Sequence, residues 1–204
     1  MITIIDYGAG NIKSIQNMLK KIGVQSKLTN SAEEVLRAEK LILPGVGHFD
    51  YGIRQLRNSG LIECLEQKVL IEKVPLLGIC LGAQMLGGKS EEGSERGLGW
   101  IDMDIVHFDV ERIDKTYKVP NMGWNYISPA KDSSLLEGLD EHARFYFVHS
   151  YHMNPKRADD VLAYTKYGYE FASAVSSDNI FGVQFHPEKS HKFGMQFLKN
   201  FASI

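Results

Sequence analysis

Residues 75–84 read Pro75-Leu76-Leu77-Gly78-Ile79-Cys80-Leu81-Gly82-Ala83-Gln84, and this stretch decides the fold. Leu76, Leu77 and Ile79 form a short apolar run of the kind that fills a central strand covered on both faces. A second apolar stretch, Ala83–Leu86, follows almost at once, so the strand must turn sharply into a helix. Gly78 and Gly82, two residues before and two after Cys80, leave room for that close approach. The layout is a nucleophile elbow with cysteine at its apex.

Outward from the elbow the chain alternates strand and helix. Ile2–Ile5 is a β-branched run, followed by a helical pattern with Ile12, Ile15, Leu19 and Ile22 that Gly23 stops. Val24–Leu28 reads as a second strand, and Ser31 with Glu34 as a capping box. Leu41-Ile42-Leu43 reads as a buried strand cut by Pro44 and Gly45, and helical patterns follow over Phe49–Leu56 and Leu61–Ile71. This βαβα order predicts an α/β fold with a central, mostly parallel sheet and helices on both faces. The second half is richer in strands, with candidates at Trp100–Ile105, Arg144–His149, Val161–Thr165, Phe171–Ser176 and Phe181–Phe185, and an additional antiparallel, strand-rich region is expected. Phe193, Phe197 and Phe201 mark a closing helix whose aromatic stripe packs inward. With 204 residues and no visible linker, one domain over 1–204 is expected.

Composition excludes several classes. Hydrophobic residues make up 44% and charged residues 24%, as in ordinary globular chains. Lys+Arg 23 against Asp+Glu 25 gives a net charge of −2, so no basic excess points to nucleic acid or a membrane surface. The longest apolar stretch, Val74 to Leu86, is too short to span a bilayer and contains Gln84. The N-terminus has no basic region and no long apolar segment. Two cysteines, Cys64 and Cys80, make no disulfide framework, and a reduced cytoplasmic setting is expected.

Cys80 would sit at a helix N-terminus, where exposed N–H groups favour thiolate, and the Leu81 N–H can stabilise an oxyanion. The plainer alternative is a buried free cysteine. A base is needed, and His186 ends the run Phe181-Gly182-Val183-Gln184-Phe185, followed by Pro187 and Glu188. Proline biases His186 toward extended geometry, where residues i and i+2 face the same way. Glu188 can therefore orient the ring and leave its other nitrogen for Cys80, the triad logic in its cysteine form. Pro44-Gly45-Val46-Gly47, at the end of a strand, can offer a second backbone donor. Other constellations fail. Gly8-Ala9-Gly10 has Lys13 where a dinucleotide fingerprint needs its third glycine. His149-x-x-His152 lacks companion ligands, so no metal and no cofactor are expected. Cys64 falls in an apolar helical pattern.

The residues together resemble the class I (triad) glutamine amidotransferases. The resemblance is carried by Gly78–Gln84 and His186-Pro187-Glu188. It extends through Asp6–Asn11, Leu43–Gly47, Ser90–Gly93, Gly97–Gly99, Met122–Asn125, Phe147–Tyr151 and Gln184–Ser190. It implies hydrolysis of L-glutamine to glutamate and ammonia, with Cys80, His186 and Glu188 catalytic and the oxyanion hole at Val46 and Leu81. It implies glutamine binding by Gly47, Gln84, Glu92, Ser150 and Tyr151. It also implies a heterodimer with a (βα)8 cyclase subunit of histidine synthesis, because free ammonia would protonate and diffuse away. Asn11, Asn121, Trp124 and Lys189 would lie toward that interface. Asn121 stands where the resemblance leads one to expect His. The alternatives are a paralogue that feeds another synthase, such as one modifying a surface sugar, and a non-catalytic binding subunit.

Overall fold

The computed structural model describes residues 1–113 and 116–204. Its first half builds β1 (Ile2–Ile5), α1 (Ile12–Lys21), β2 (Ser26–Thr29), α2 (Ala32–Leu36), β3 (Leu41–Gly45), α3 (Phe49–Asn58) and α4 (Ile62–Glu66). Then come β4 (Leu76–Cys80), α5 (Leu81–Gln84), β5 (Lys89–Ser90) and β6 (Met103–His107). The second half holds β7 (Asn121–Tyr126), β8 (Ser128–Pro129), β9 (Arg144–His149), β10 (Tyr151–Pro155) and β11 (Val161–Tyr167). The chain ends with β12 (Tyr169–Ser177), β13 (Ile180–Val183) and α6 (His191–Ser203).

Strands β2, β1, β3, β4 and β13 lie side by side and parallel. Antiparallel β12, β10 and β6 continue the same sheet. β7 and β9 form a separate antiparallel pair. The period-two pattern of each central strand explains how both faces are filled. Leu41, Leu43 and Leu76 pack on one side with Val35 of α2, Phe49 and Ile53 of α3 and Leu65 of α4. Ile42, Leu77 and Ile79 pack on the other with Ile15 and Leu19 of α1 and Phe197 and Phe201 of α6. Each such side chain taken from water contributes roughly 1.5–3 kcal/mol.

Several elements depart from the sequence reading. Strand β3 runs through Pro44 and Gly45 instead of stopping before them. Its register with β1 ends at Ile42 while that with β4 continues to Gly45, so Pro44 has one neighbouring strand and its missing N–H interrupts no central ladder. The second strand starts later than expected, at Ser26, and the strand expected over Trp100–Ile105 occupies Met103–His107. Ser31 precedes α2, but its side chain makes no capping bond. The pattern over Leu61–Ile71 becomes α4 followed by a wider π turn at Gln67–Ile71. No helix among the described residues is long and apolar enough to cross a membrane.

Candidate active site

The register of three parallel strands builds the site. Gly45 of β3 lies opposite Cys80 of β4, and Val183 of β13 lies opposite Ile79. The segments leaving these strands therefore emerge together at the carboxyl edge of the sheet, where open α/β sheets bind ligands. Cys80 has φ 54° and ψ −112°, a conformation that a non-glycine residue avoids. Tight backbone contact on both sides holds it there. A Cβ at Gly78 would come to 2.8 Å from the Ala83 backbone, and one at Gly82 would overlap the Leu43 carbonyl oxygen. Helix α5 is a single turn packed directly on the strands it leaves.

His186 donates from Nδ1 to Glu188 Oε1 at 2.8 Å, with both side chains buried. Asn11 Nδ2 donates to the same oxygen at 3.3 Å. The pairing is made differently from the sequence expectation: Pro187–Lys189 form a 3₁₀ turn, not an extended segment, and the turn folds Glu188 back beneath the ring. The His186 backbone N–H bonds the Tyr146 carbonyl at 2.9 Å, and its carbonyl accepts from Ser190 Oγ at 2.6 Å. The Nε2 atom is buried with no hydrogen-bond partner among the described residues. Burial disfavours imidazolium, but the charge of Cys80 and then the bond to Glu188 outweigh it and raise the His186 pKa above its ordinary value. The ring is thus set to carry a proton beside sulfur.

A cleft of about 690 Å³ opens over Cys80 and His186. Val46, Gly47, Leu81, Gln84, Glu92, Ser150 and Tyr151 line it, and Asn11 and Lys189 lie on the same wall. Glu188 sits behind His186 and does not line the cleft. Trp124 is 40% exposed and stacks on His191, and Met122 and Tyr126 are exposed on the same side of β7. Asn121 departs from its expected place at a partner-facing surface. It is fully buried on the opposite side of β7, where strand alternation turns it inward to His149 Nε2 at 3.2 Å.

Sequence reading assigned no role to Asp50, His149, Gln184 or Tyr7, and each proves close to this machinery. Their signal is tertiary, because every partner is distant in the chain. Tyr7 donates to the Pro44 carbonyl at 2.6 Å, and burial followed by Cys80's charge raises its pKa. His149 is held neutral, its pKa lowered to about 3 chiefly by burial. Glu92 accepts the Phe49 N–H at 2.8 Å. One residue on in the same helix, Asp50 accepts the Glu95 N–H at 2.9 Å and the Ser94 N–H at 3.1 Å. The two carboxylates thus clasp the loop that carries Glu92 to the N-terminus of α3.

The backbone bond from Glu95 is the leading cause of a lowered Asp50 pKa. A carboxylate whose folded pKa is depressed adds stability that is complete above its unfolded pKa, near ~3.9, and lost as pH falls through the folded value. Asp50→Ala is therefore expected to lower the Tm at neutral pH, with the gap to wild type closing below about pH 4. Thermal melts of both proteins across pH 3–8 check this. Loosening the clasp should also raise the KM for glutamine roughly tenfold while kcat changes less.

A sequence profile for the family "Glutamine amidotransferase class-I" matches residues 3–204. The chain is 57% identical over 204 residues to "Imidazole glycerol phosphate synthase subunit HisH 2" of Pseudomonas aeruginosa, covering 100% of both chains. It is 52% identical over 201 residues to the protein of the same name from Methanococcus maripaludis, covering 98% of each. Among solved structures it resembles a glutamine amidotransferase at TM-score 0.72 and 20% identity over 100% of both chains. PurLQS from Thermotoga maritima also matches, at TM-score 0.71 and 17% identity, covering 99% of this chain and 97% of that one. At these identities the structural likeness carries the fold alone.

Proposed function

The chain belongs to the class I glutamine amidotransferases, and from that premise we propose that Cys80, His186 and Glu188 hydrolyse L-glutamine to glutamate and ammonia. It is an enzyme of the imidazole glycerol phosphate synthase type, supplying ammonia in histidine biosynthesis as one member of a complex. The single observation that carries the assignment of roles is the strained Cys80 facing a buried His186 that Glu188 orients at 2.8 Å.

In the proposed reaction Cys80 Sγ attacks the side-chain amide carbon, and the carbonyl oxygen becomes an oxyanion held by the Val46 and Leu81 N–H groups. His186 gives its Nε2 proton to the departing nitrogen, ammonia leaves, and a thioester remains. His186 then takes a proton from water, the hydroxide attacks the thioester, and glutamate and the Cys80 thiolate are released. Glu188 keeps the imidazole in register through both steps. Glu92 suits the substrate ammonium, while Gly47, Gln84, Ser150 and Tyr151 complete the pocket.

The acceptor we propose is a (βα)8 cyclase subunit docking over the cleft as a heterodimer. Met122, Trp124 and Tyr126 form an exposed apolar row on β7, and the Lys189 ammonium, on the wall of the cleft, lies 5.4 Å from the centroid of the Tyr146 ring. Because Asn121 points away from that row, its departure from the family sequence leaves the outer face unchanged. Free buried thiols at Cys64 and Cys80 fit a reduced cytoplasmic setting.

The test is glutamate release from L-glutamine, with and without a histidine-pathway cyclase. Stimulated release and a 1:1 complex are expected. Release with no complex would move the acceptor to another synthase. No release even within the complex would leave a non-catalytic binding subunit.

A further inference from the structure

Gln184 lies two residues before His186, wholly buried, with its backbone N–H bonded to the Ser173 carbonyl at 2.9 Å. Its side chain lies between Gln84 and Cys80. Gln84 Nε2 donates to the Tyr151 carbonyl at 3.1 Å and to Gln184 Oε1 at 3.0 Å. Gln184 Nε2 reaches Cys80 Sγ at 3.8 Å.

The polarity of this chain is not free. A backbone carbonyl can only accept, so the Tyr151 oxygen requires Gln84 to present its NH₂. The second hydrogen of that group needs an acceptor, which turns Gln184 Oε1 toward Gln84. The Gln184 NH₂ is then what faces sulfur. His149 Nδ1 donates to the same Tyr151 carbonyl at 2.8 Å, so that oxygen is held from two sides. A donor aimed at sulfur favours the anion over the thiol, because hydrogen bonds to charged acceptors are worth more than those to neutral ones.

Resting on the reading of Cys80 as the nucleophile, we propose that Gln184 is a positioning residue that holds the Cys80 thiolate through a donor separate from His186. It couples the orientation of the pocket residue Gln84 to that of the reacting sulfur. Among the described residues, the other titratable groups facing this sulfur are His186 at the start of the Pro187 turn, with Glu188 behind it, and Tyr7, two residues beyond β1. Glu92, His149 and Lys189 line the cleft. None of these bonds Gln184, so its substitution changes one donor at sulfur and leaves the His186–Glu188 pair in place.

The experiment compares the full-length wild type with Gln184→Met, which removes the amide at similar length, and Gln184→Asn, which keeps the site polar but withdraws the donor. The readout is the pH dependence of Cys80 alkylation by iodoacetamide, assigned to Cys80 by mass spectrometry, alongside kcat and KM for glutamate release. Both variants should alkylate roughly tenfold more slowly at neutral pH, with the profile moved to higher pH. Their kcat should fall about tenfold with KM changing less than about twofold. Gln184→Asn decides the matter if Gln184→Met does not fold. Wild-type alkylation profiles in the folded variants, or a raised KM at unchanged kcat, would overturn the proposal and leave Gln184 as a pocket support. Alkylation is read without turnover, so this outcome stays distinct from a failure of the glutaminase reading, which would show as release that survives loss of Cys80.

Discussion

Cys80→Ala should abolish glutamate release, by about 10³-fold or more, while leaving the fold and any complex with the cyclase intact. The variant removes one atom, Sγ, and none of the described residues lining the cleft carries another thiol. His186 would remain oriented by Glu188 and could still activate water, so the residual rate measures binding and base catalysis alone. Stability should change little. The residue is buried, but the loss is a single sulfur beside an open cleft, and alanine meets the same backbone constraint at φ 54°. Glutamate release, thermal melting and complex formation should be measured on the same preparation. Residual release above a tenth of wild type would remove Cys80 from the nucleophile's role.

Gly82→Val should cost the protein its native fold or most of its stability. The position sits in the first turn after Cys80, and a Cβ there would overlap the Leu43 carbonyl oxygen. That oxygen belongs to a central strand paired with β4 on one side and, at Leu41 and Ile42, with β1 on the other. Neither partner can move without breaking the sheet, so α5 would have to lift away and take the elbow with it. Overpacking of this kind costs about 3 kcal/mol or more, roughly a 10 °C fall in Tm for a chain of this size. Gly60→Ala is the control. Gly60 has φ +70° with open space around its missing Cβ, so alanine there bears only backbone strain of about 1–2 kcal/mol. A Gly82→Val protein that melts no lower than Gly60→Ala would contradict the close packing of strand and elbow.

Sequence by itself determined most of the parallel half of the fold, though not that β13 joins it, and singled out Cys80, His186 and Glu188 as candidates. Apolar runs at Ile2–Ile5, Leu41–Leu43 and Leu76–Ile79, separated by helical periodicity, specify buried strands joined by crossovers, because each link is local and periodic. The spacing of Gly78, Cys80 and Gly82 specified an elbow for the same reason: a sharp turn restricts its immediate neighbours. Other features were invisible locally. Strand β10 (Tyr151–Pro155) mixes His152, Met153 and Asn154, a pattern with no clear alternation, and becomes a strand because β6 and β12 supply ladders on both sides. His186 and Glu188 meet through a 3₁₀ turn, although extended geometry also allowed the contact.

Only the tertiary structure decided which polar groups serve the site from behind. The Tyr151 carbonyl fixes the donors of Gln84 and His149, and Asp50 holds a loop more than 40 residues away in sequence. It also turned Asn121 inward and left Trp124 outward, a choice that strand alternation permits in either register and that burial against His149 settles. The physical reason is common to all of these. Periodicity and turn chemistry act between near neighbours, whereas a buried hydrogen bond is defined by where two distant backbones bring its donor and acceptor, and its direction by the one group in the chain that cannot reverse.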